Sequence, residues 1–212
     1  MKKSLLHSLW NLHLITPRGI VRLLSCFLHE GITLMAVVRF AVCYHAYHCA
    51  VVNDNRHVDY QEFYALAQRL SRLLYHNYHL ESGQHVALFC RNHLVSALLL
   101  PALSRLGVHV KLLNTDLSDE QLAQVMGRSF ALFIYDEELT QANNLYAMCS
   151  MVSCEKLLES IETHNFVCDT TLPHIKRGGN ISVMTGGSSG KYKEAARQTG
   201  IVQFLPPFFS LL

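Results

Sequence analysis

The 212-residue chain is predicted to fold as an α/β protein, a parallel-type sheet flanked by helices, on three observations. Short apolar runs recur along its middle: Val86-Ala87-Leu88-Phe89-Cys90, Val108 to Leu113, and Ala131-Leu132-Phe133-Ile134-Tyr135. They lie about 22 residues apart with helical patterns between them, the signature of βαβ units. Their apolarity is continuous rather than alternating, as expected of strands covered on both faces.

The elements follow in order. Pro17 to about Tyr47 has helical periodicity, with Gly31 as a break between two helices. Ala50-Val51-Val52 and His57-Val58-Asp59-Tyr60 flank Asn53-Asp54-Asn55, the pattern of a small hairpin with an Asn/Asp turn. Asp59 is a candidate N-cap, and Glu62 three residues later would complete a capping box. The helix they start carries the stripe Tyr60, Phe63, Tyr64, Ala67, Leu70, Leu73, Leu74 and is expected to end near His76-Asn77. After the first apolar run, Asn92 reads as the cap of a helix that Gly107 closes. Asn114-Thr115 reads as a turn cap, and Ser118 with Gln121 as the capping box of a helix ending near Gly127. Glu137 to Gly179 is less regular, with a helix over Cys154 to Thr163 and a loop around Pro173 to Gly179. Asn180 to Thr185 reads as another strand.

Composition excludes several classes. Half of the residues are hydrophobic, enough for a sizeable core in one ordinary domain. The net charge is +2 without any block of like charges, which speaks against a nucleic-acid partner. The seven cysteines, Cys26, Cys43, Cys49, Cys90, Cys149, Cys154 and Cys168, are odd in number and show no Cys-x-x-Cys spacing. They read as free thiols of a reducing compartment, and the spacing offers no zinc framework. The start, Met1-Lys2-Lys3 before Leu5, Leu6 and Leu9, lacks the unbroken apolar core and cleavage site of a signal peptide. Ile32 to Val52 is apolar, but Arg39, His45 and His48 sit in its middle. A charge at the centre of a span costs at least about 2.5 kcal/mol. A cytoplasmic location is expected, with peripheral contact to a membrane surface left open.

The most informative segment is Ile181-Ser182-Val183-Met184-Thr185-Gly186-Gly187-Ser188-Ser189-Gly190-Lys191-Tyr192-Lys193. A strand runs into glycines and small hydroxyls, then two lysines. Glycines let successive backbone N–H groups turn inward, hydroxyls add donors and lysines add charge, which together suit a polyphosphate. Two phosphate loops compete. The Walker A pattern Gly-x-x-x-x-Gly-Lys-(Ser/Thr) matches Gly190-Lys191 but meets Thr185 at its first glycine and Tyr192 at its magnesium-binding hydroxyl. A P-loop nucleotidase is therefore the weaker alternative.

Thr185-Gly186-Gly187-Ser188-Ser189-Gly190-Lys191-Tyr192-Lys193 resembles the phosphate loop of the adenylate-forming enzymes, Thr-(Ser/Gly)-Gly-(Ser/Thr)-(Ser/Thr)-Gly-x-Pro-Lys-Gly. Tyr192 replaces the usual Pro and Glu194 the usual Gly. Further matches occur in the family's order. Asp59-Tyr60-Gln61-Glu62-Phe63 is similar to its Thr-Tyr-x-Glu-Leu helix start, and Arg91-Asn92 to its Arg-Asn-x element. Arg105-Leu106-Gly107-Val108-His109-Val110 with Leu112-Leu113-Asn114-Thr115 is similar to a segment of acyl-CoA synthetases. Over residues 17 to 200 the chain thus resembles the N-terminal part of an AMP-forming acyl-CoA synthetase, an incomplete N-terminal subdomain of that fold.

The resemblance implies a two-step reaction of a carboxylic or fatty acid with ATP, Mg²⁺ and CoA. The carboxylate attacks the α-phosphate to give an acyl-adenylate and pyrophosphate, and the CoA thiol then displaces AMP. Thr185, Gly186, Gly187, Ser188, Ser189, Gly190 and Lys193, with Lys191 in support, would hold the phosphates by positioning and charge stabilisation. No metal ligand or proton-transfer residue is assigned. The family's adenine, ribose and Mg²⁺-associated motifs, its CoA site and its small C-terminal domain find no counterpart. The expected layout is a poorly defined leader over residues 1–16 and a truncated AMP-binding domain over residues 17–212. Such a fragment is expected to be inactive alone. Alternatives are a non-catalytic ligase-like scaffold, or half of a split enzyme with a complementing C-terminal partner.

Other residues read more plainly. His45/His48 and His76/His79 are spaced as metal-binding pairs without a third ligand, and read as solvated or core histidines. Cys90 ends a strand without an identifiable base and reads as a small buried hydrophobe. Asp119-Glu120 and Asp136-Glu137-Glu138 read as acids beside helix N-termini. The apolar tail from Phe204 to Leu212 reads as severed core.

Overall fold

The computed structural model describes residues 13–53, 56–117, 121–122, 130–139, 149–163, 171–185 and 193–197. Residues 1–12 of the expected leader, most of the helix after Ser118, most of the glycine-rich segment, Cys168 and the apolar tail lie outside these residues.

Helix α1 spans Pro17–Glu30, with Thr16 accepting the Gly19 N–H at its start. Gly31 ends it at φ 71°, where any Cβ would also collide with the carbonyl oxygen of Ile175. Helix α2 spans Leu34–His45, capped by Thr33. At 12 residues it is a packed helix, and among the described residues no helix is long and apolar enough to cross a membrane. Strands β1 (Cys49–Asn53) and β2 (Arg56–Asp59) pair antiparallel as the expected hairpin. Helix α3 (Tyr60–Tyr78) starts at Asp59, which accepts the Glu62 N–H at 2.8 Å. The other half of the expected capping box is replaced by an ion pair, in which Glu62 takes Arg56 at 2.7 Å.

The main sheet comprises β3 (His85–Phe89), β4 (His109–Leu112), β5 (Leu132–Tyr135), β6 (Ser150–Ser153), β7 (Ile181–Thr185) and β8 (Lys193–Arg197). Helix α4 (Leu94–Arg105) connects β3 to β4, and α5 (Cys154–Thr163) follows β6. The strand order is β6-β5-β3-β4-β7-β8. The first five strands run parallel, while β8 returns antiparallel to β7 at the edge. Neither β6 nor β8 was predicted. Ser150–Ser153 is too short and polar to announce itself, and Lys193–Arg197 carries charge at both ends.

Alternate residues of the central strands face different cores. Val86, Leu88, Val110, Leu132, Ile134 and Val152 pack with the buried stripes of α3, α4 and α5. Ala87, Phe89 and Phe133 form the opposite face with Leu113, Leu122 and Phe130. Two covered faces explain why the sequence shows continuous apolar runs.

A buried carboxylate ties the helices together. Glu30 at the end of α1 accepts from Arg105 Nε at 2.8 Å, Arg39 Nη1 at 3.1 Å and the Tyr64 hydroxyl at 2.6 Å. Burial, then the bond to Glu30, raises the Tyr64 pKa well above the ordinary phenol range. Arg105 also donates to the Pro173 carbonyl, so it clamps the segment leading to β7. The start of β7 is set by His109, whose Nδ1 accepts the Asn180 N–H at 2.9 Å. An Nδ1 that accepts leaves the ring proton on Nε2.

Two tests follow from these contacts. Glu30→Ala leaves the Arg105 guanidinium, 10% exposed, without its carboxylate. Denaturant unfolding is expected to show a loss of about 3–5 kcal/mol, and a loss below about 1 kcal/mol would contradict the buried pair. Burial, and then the stacked His85 ring 4.9 Å away, lowers the His109 pKa below its ordinary 6.5. The unfolded chain therefore binds this proton first as pH falls. The neutral ring's contribution is complete above about pH 6.5 and declines below it, towards the folded-state value. His109→Gln is expected to flatten the acid side of the stability curve relative to wild type; parallel curves would contradict it.

Candidate functional site

The sheet order brings separate features to one edge. From β3 the chain moves to β4 on one side and then returns past β3 to β5 on the other. A crevice at the carboxyl ends of β3 and β4 is the place where open α/β sheets bind ligands. A cavity of about 470 Å³ opens there. Leu88, Cys90, Leu112 and Leu113 form its sheet side, and Val52 with Asn53 reaches over from the hairpin. Asn53 Oδ1 also accepts the Leu94 N–H at 3.3 Å, which fixes the hairpin against the start of α4.

The strand residues that flank the glycine-rich segment lie at the same edge. Val183 of β7 pairs with Leu112 of β4, which lines the cavity. Thr185 lies two residues further, about 7 Å along the strand. It stands opposite Lys193, the first residue of β8, as the last pair of that ladder. Thr185 ends the expected strand, whereas Lys193, expected in the loop, is a strand residue, so the two bracket the segment. Gly186, Gly187, Ser188, Ser189, Gly190 and Lys191 lie outside the described residues. Asn114, next to this edge, accepts the Asp116 N–H at 3.2 Å through its side chain, which bears out its reading as a turn cap.

A second arrangement escaped the sequence reading. Asp136, 5% exposed at the end of β5, accepts the Arg91 N–H on Oδ2 at 2.7 Å. Its Oδ1 lies 2.7 Å from His93 Nε2. His93 Nδ1 accepts from the N–H groups of Val95 and Ser96, so Nε2 carries the proton and donates to Asp136. His93, rather than the expected Asn92, is thus the cap of α4, with Ser96 completing the capping box. The ring takes this role because Asp136 anchors its far side.

Asp136 was read as an acid interacting with a helix dipole. It is instead a buried acceptor tying the end of β3 to the end of β5. Glu137 and Glu138 do open a 3₁₀ turn, Glu137–Leu139, where Glu137 accepts the Ser153 hydroxyl at 2.7 Å and Glu138 pairs with Arg91 at 2.8 Å. Cys90, read as a plain hydrophobe, donates to the Ile134 carbonyl at 3.9 Å and sits beside Asp136 and Cys154. The bond to Cys90, then burial, then the charges of Cys90 and Asp136, pushes the Cys154 pKa far above the ordinary thiol range. Cys90 and Cys154 lie 64 positions apart, so only the adjacency of β3, β5 and β6 reveals the cluster. The six described cysteines are free thiols, as expected. His45 and His48 stack edge to face at 5.1 Å, and they do not belong to a metal-type cluster among the described residues.

The surrounding fold has relatives. The N-terminal subdomain of NpsA from Klebsiella oxytoca superposes with a TM-score of 0.63 at 17% identity, covering 79% of this chain and 42% of that one. O-succinylbenzoate coenzyme A synthetase (MenE) from Bacillus subtilis, in complex with ATP and magnesium ion, superposes with a TM-score of 0.61 at 18% identity. It covers 79% of this chain and 44% of that one. The chain therefore spans less than half the length of these structures. No curated protein sequence matches it. The profile of the AMP-binding enzymes matches residues 39–181, more than half of the chain and nearly all of the elements that build the cavity edge. On that match, the chain belongs to the AMP-binding enzyme family.

Proposed function

We propose that this chain supplies the nucleotide-phosphate site of an adenylate-forming enzyme of the acyl-CoA synthetase type. The carrying observation is the Thr185–Lys193 pair, closing a seven-residue connection at the cavity edge of a parallel sheet. Directly opposed residues of an antiparallel pair have Cα atoms about 5 Å apart. Thr185 and Lys193, which flank positions 186–192, therefore stand close together, and three of those seven residues are glycines and two are serines. Such a connection suits inward-turned amides around an anion.

In this reading the amides of Gly186, Gly187 and Gly190 and the hydroxyls of Thr185, Ser188 and Ser189 donate to the β- and γ-phosphates. The Lys193 ammonium offsets the charge that grows on pyrophosphate as the α-phosphorus bond to it breaks. The attacking oxygen comes from the acid substrate, and no proton transfer is needed from these residues. The magnesium ion arrives with the nucleotide, and no residue of this chain is assigned to hold it. The finer assignment, a carboxylic or fatty acid with CoA as the thiol, draws support from the acyl-CoA synthetase-like segment at Arg105 to Thr115 and from MenE's own name. The same proposal takes residues 17–212 as part of a larger AMP-binding unit.

Isothermal titration tests the phosphate site. The chain is expected to bind both Mg·ATP and pyrophosphate. Lys193→Ala is expected to weaken both by about 10- to 100-fold, the equivalent of about 1.5–3 kcal/mol for a lost charge-assisted hydrogen bond. Lys191→Ala should cost less. Binding that is absent, or a larger loss at Lys191 than at Lys193, would overturn the assignment, the latter in favour of a Walker-type loop.

A further inference from the structure

We propose that Cys90, Asp136 and Cys154 form a binding site for a thiophilic divalent cation of the zinc class, beside the nucleotide edge and separate from the magnesium chemistry of that site. Two thiol sulfurs and a carboxylate oxygen all lie within 4.8 Å of one another. They come from three elements: the residue after β3, the residue after β5, and the first residue of α5. In a tetrahedral zinc site, with metal–sulfur bonds of about 2.3 Å and metal–oxygen bonds of about 2.0–2.2 Å, ligand atoms stand roughly 3.5–3.8 Å apart. A small inward adjustment of side chains therefore suffices.

Three further features suit this role. The Asp136 carboxylate is already oriented by Arg91 N and His93 Nε2. A hydrogen-bonded outer partner of this kind is what fixes and tunes metal ligands. Cys154 opens α5, so a thiolate formed as the metal–sulfur bond replaces the S–H bond would stand at a helix N-terminus, which offsets negative charge. Cys90 lines the 470 Å³ cavity, which gives an ion access to an otherwise buried cluster and leaves room for a fourth ligand. Metal binding would put two thiolate charges beside the carboxylate in one buried spot, and a divalent cation is the partner that offsets most of that charge. Sulfur ligands select zinc or its cobalt surrogate over magnesium. Each thiol would release its proton to solvent as the metal–sulfur bond forms.

Cobalt titration of the whole chain, stripped with a chelator and kept reduced by a phosphine, tests the site. The expected result is one equivalent of Co²⁺ giving a thiolate-to-cobalt charge-transfer band and the intense visible bands of a tetrahedral site, both displaced by Zn²⁺. Cys90→Ser and Cys154→Ser should each remove the charge-transfer band or weaken binding sharply, while Cys49→Ser on the exposed hairpin strand keeps it. His93→Asn retains an N-cap side chain but loses the ring on Asp136, and should lower the affinity by about 10- to 100-fold. Circular dichroism checks that each variant is folded. A folded wild type without the bands overturns the proposal. So do bands that persist in folded Cys90→Ser and Cys154→Ser, or that vanish in Cys49→Ser.

Discussion

A carboxylate taken out of water must find donors, and Asp136 finds them in the one loop whose position the cavity edge requires. The Arg91 N–H fixes the chain as it leaves β3, and the His93 ring fixes it again as α4 begins. Because the same ring caps α4 through its other nitrogen, strand β5, the β3–α4 connection and the first turn of α4 are held as one unit. At the other end of α4, Arg105 meets the buried carboxylate of Glu30. The helix that covers the centre of the sheet is thus pinned at both ends by acids from distant parts of the chain. Removing either acid would strand buried donors rather than merely delete a contact, which is why such bonds weigh more than exposed pairs such as Arg91–Glu138.

The pinning matters because the hydrophobic framework alone does not define an edge. Leu70, Leu74, Leu98, Leu99 and Leu103 are fully buried between α3, α4 and the sheet, and they give the layers their cohesion. Dispersion and water exclusion are non-directional, and would tolerate a β3–α4 loop lying in several ways. Polar bonds at the strand ends select one. The cavity between Leu88, Leu112 and the Asn53 side of the hairpin follows from that selection, and β7 runs beside it through its pairing with β4.

Much of this was legible in the residues. The runs at Val86, Val108 and Ala131 announced buried parallel strands because both their faces are covered. Asp59 as a cap and Gly31 and Gly107 as breaks were local signals, each decided within a single turn of chain. What stayed hidden was long-range. His93 replaced Asn92 as a cap because of a carboxylate 43 residues away, which no local preference encodes. Cys90 and Cys154 met through strand order alone. Strand β8 was masked by its own composition, since Lys193 and Glu194 carry charge in a stretch that pairs at a sheet edge, where charge is ordinary. The glycine-rich segment was read from its residue types; the structure adds the strand pair at Thr185 and Lys193 that closes it.

The functional account rests on those seven residues between β7 and β8 receiving phosphate. The most direct measurement is a two-dimensional amide spectrum of isotope-labelled protein during a titration with Mg·ATP. Saturable shifts are expected at Gly186, Gly187, Ser188, Ser189 and Gly190, extending to Thr185, Lys193 and the neighbouring Asn114 at the end of β4. An unchanged spectrum, or shifts confined to helix α1 at Pro17–Glu30, would contradict it.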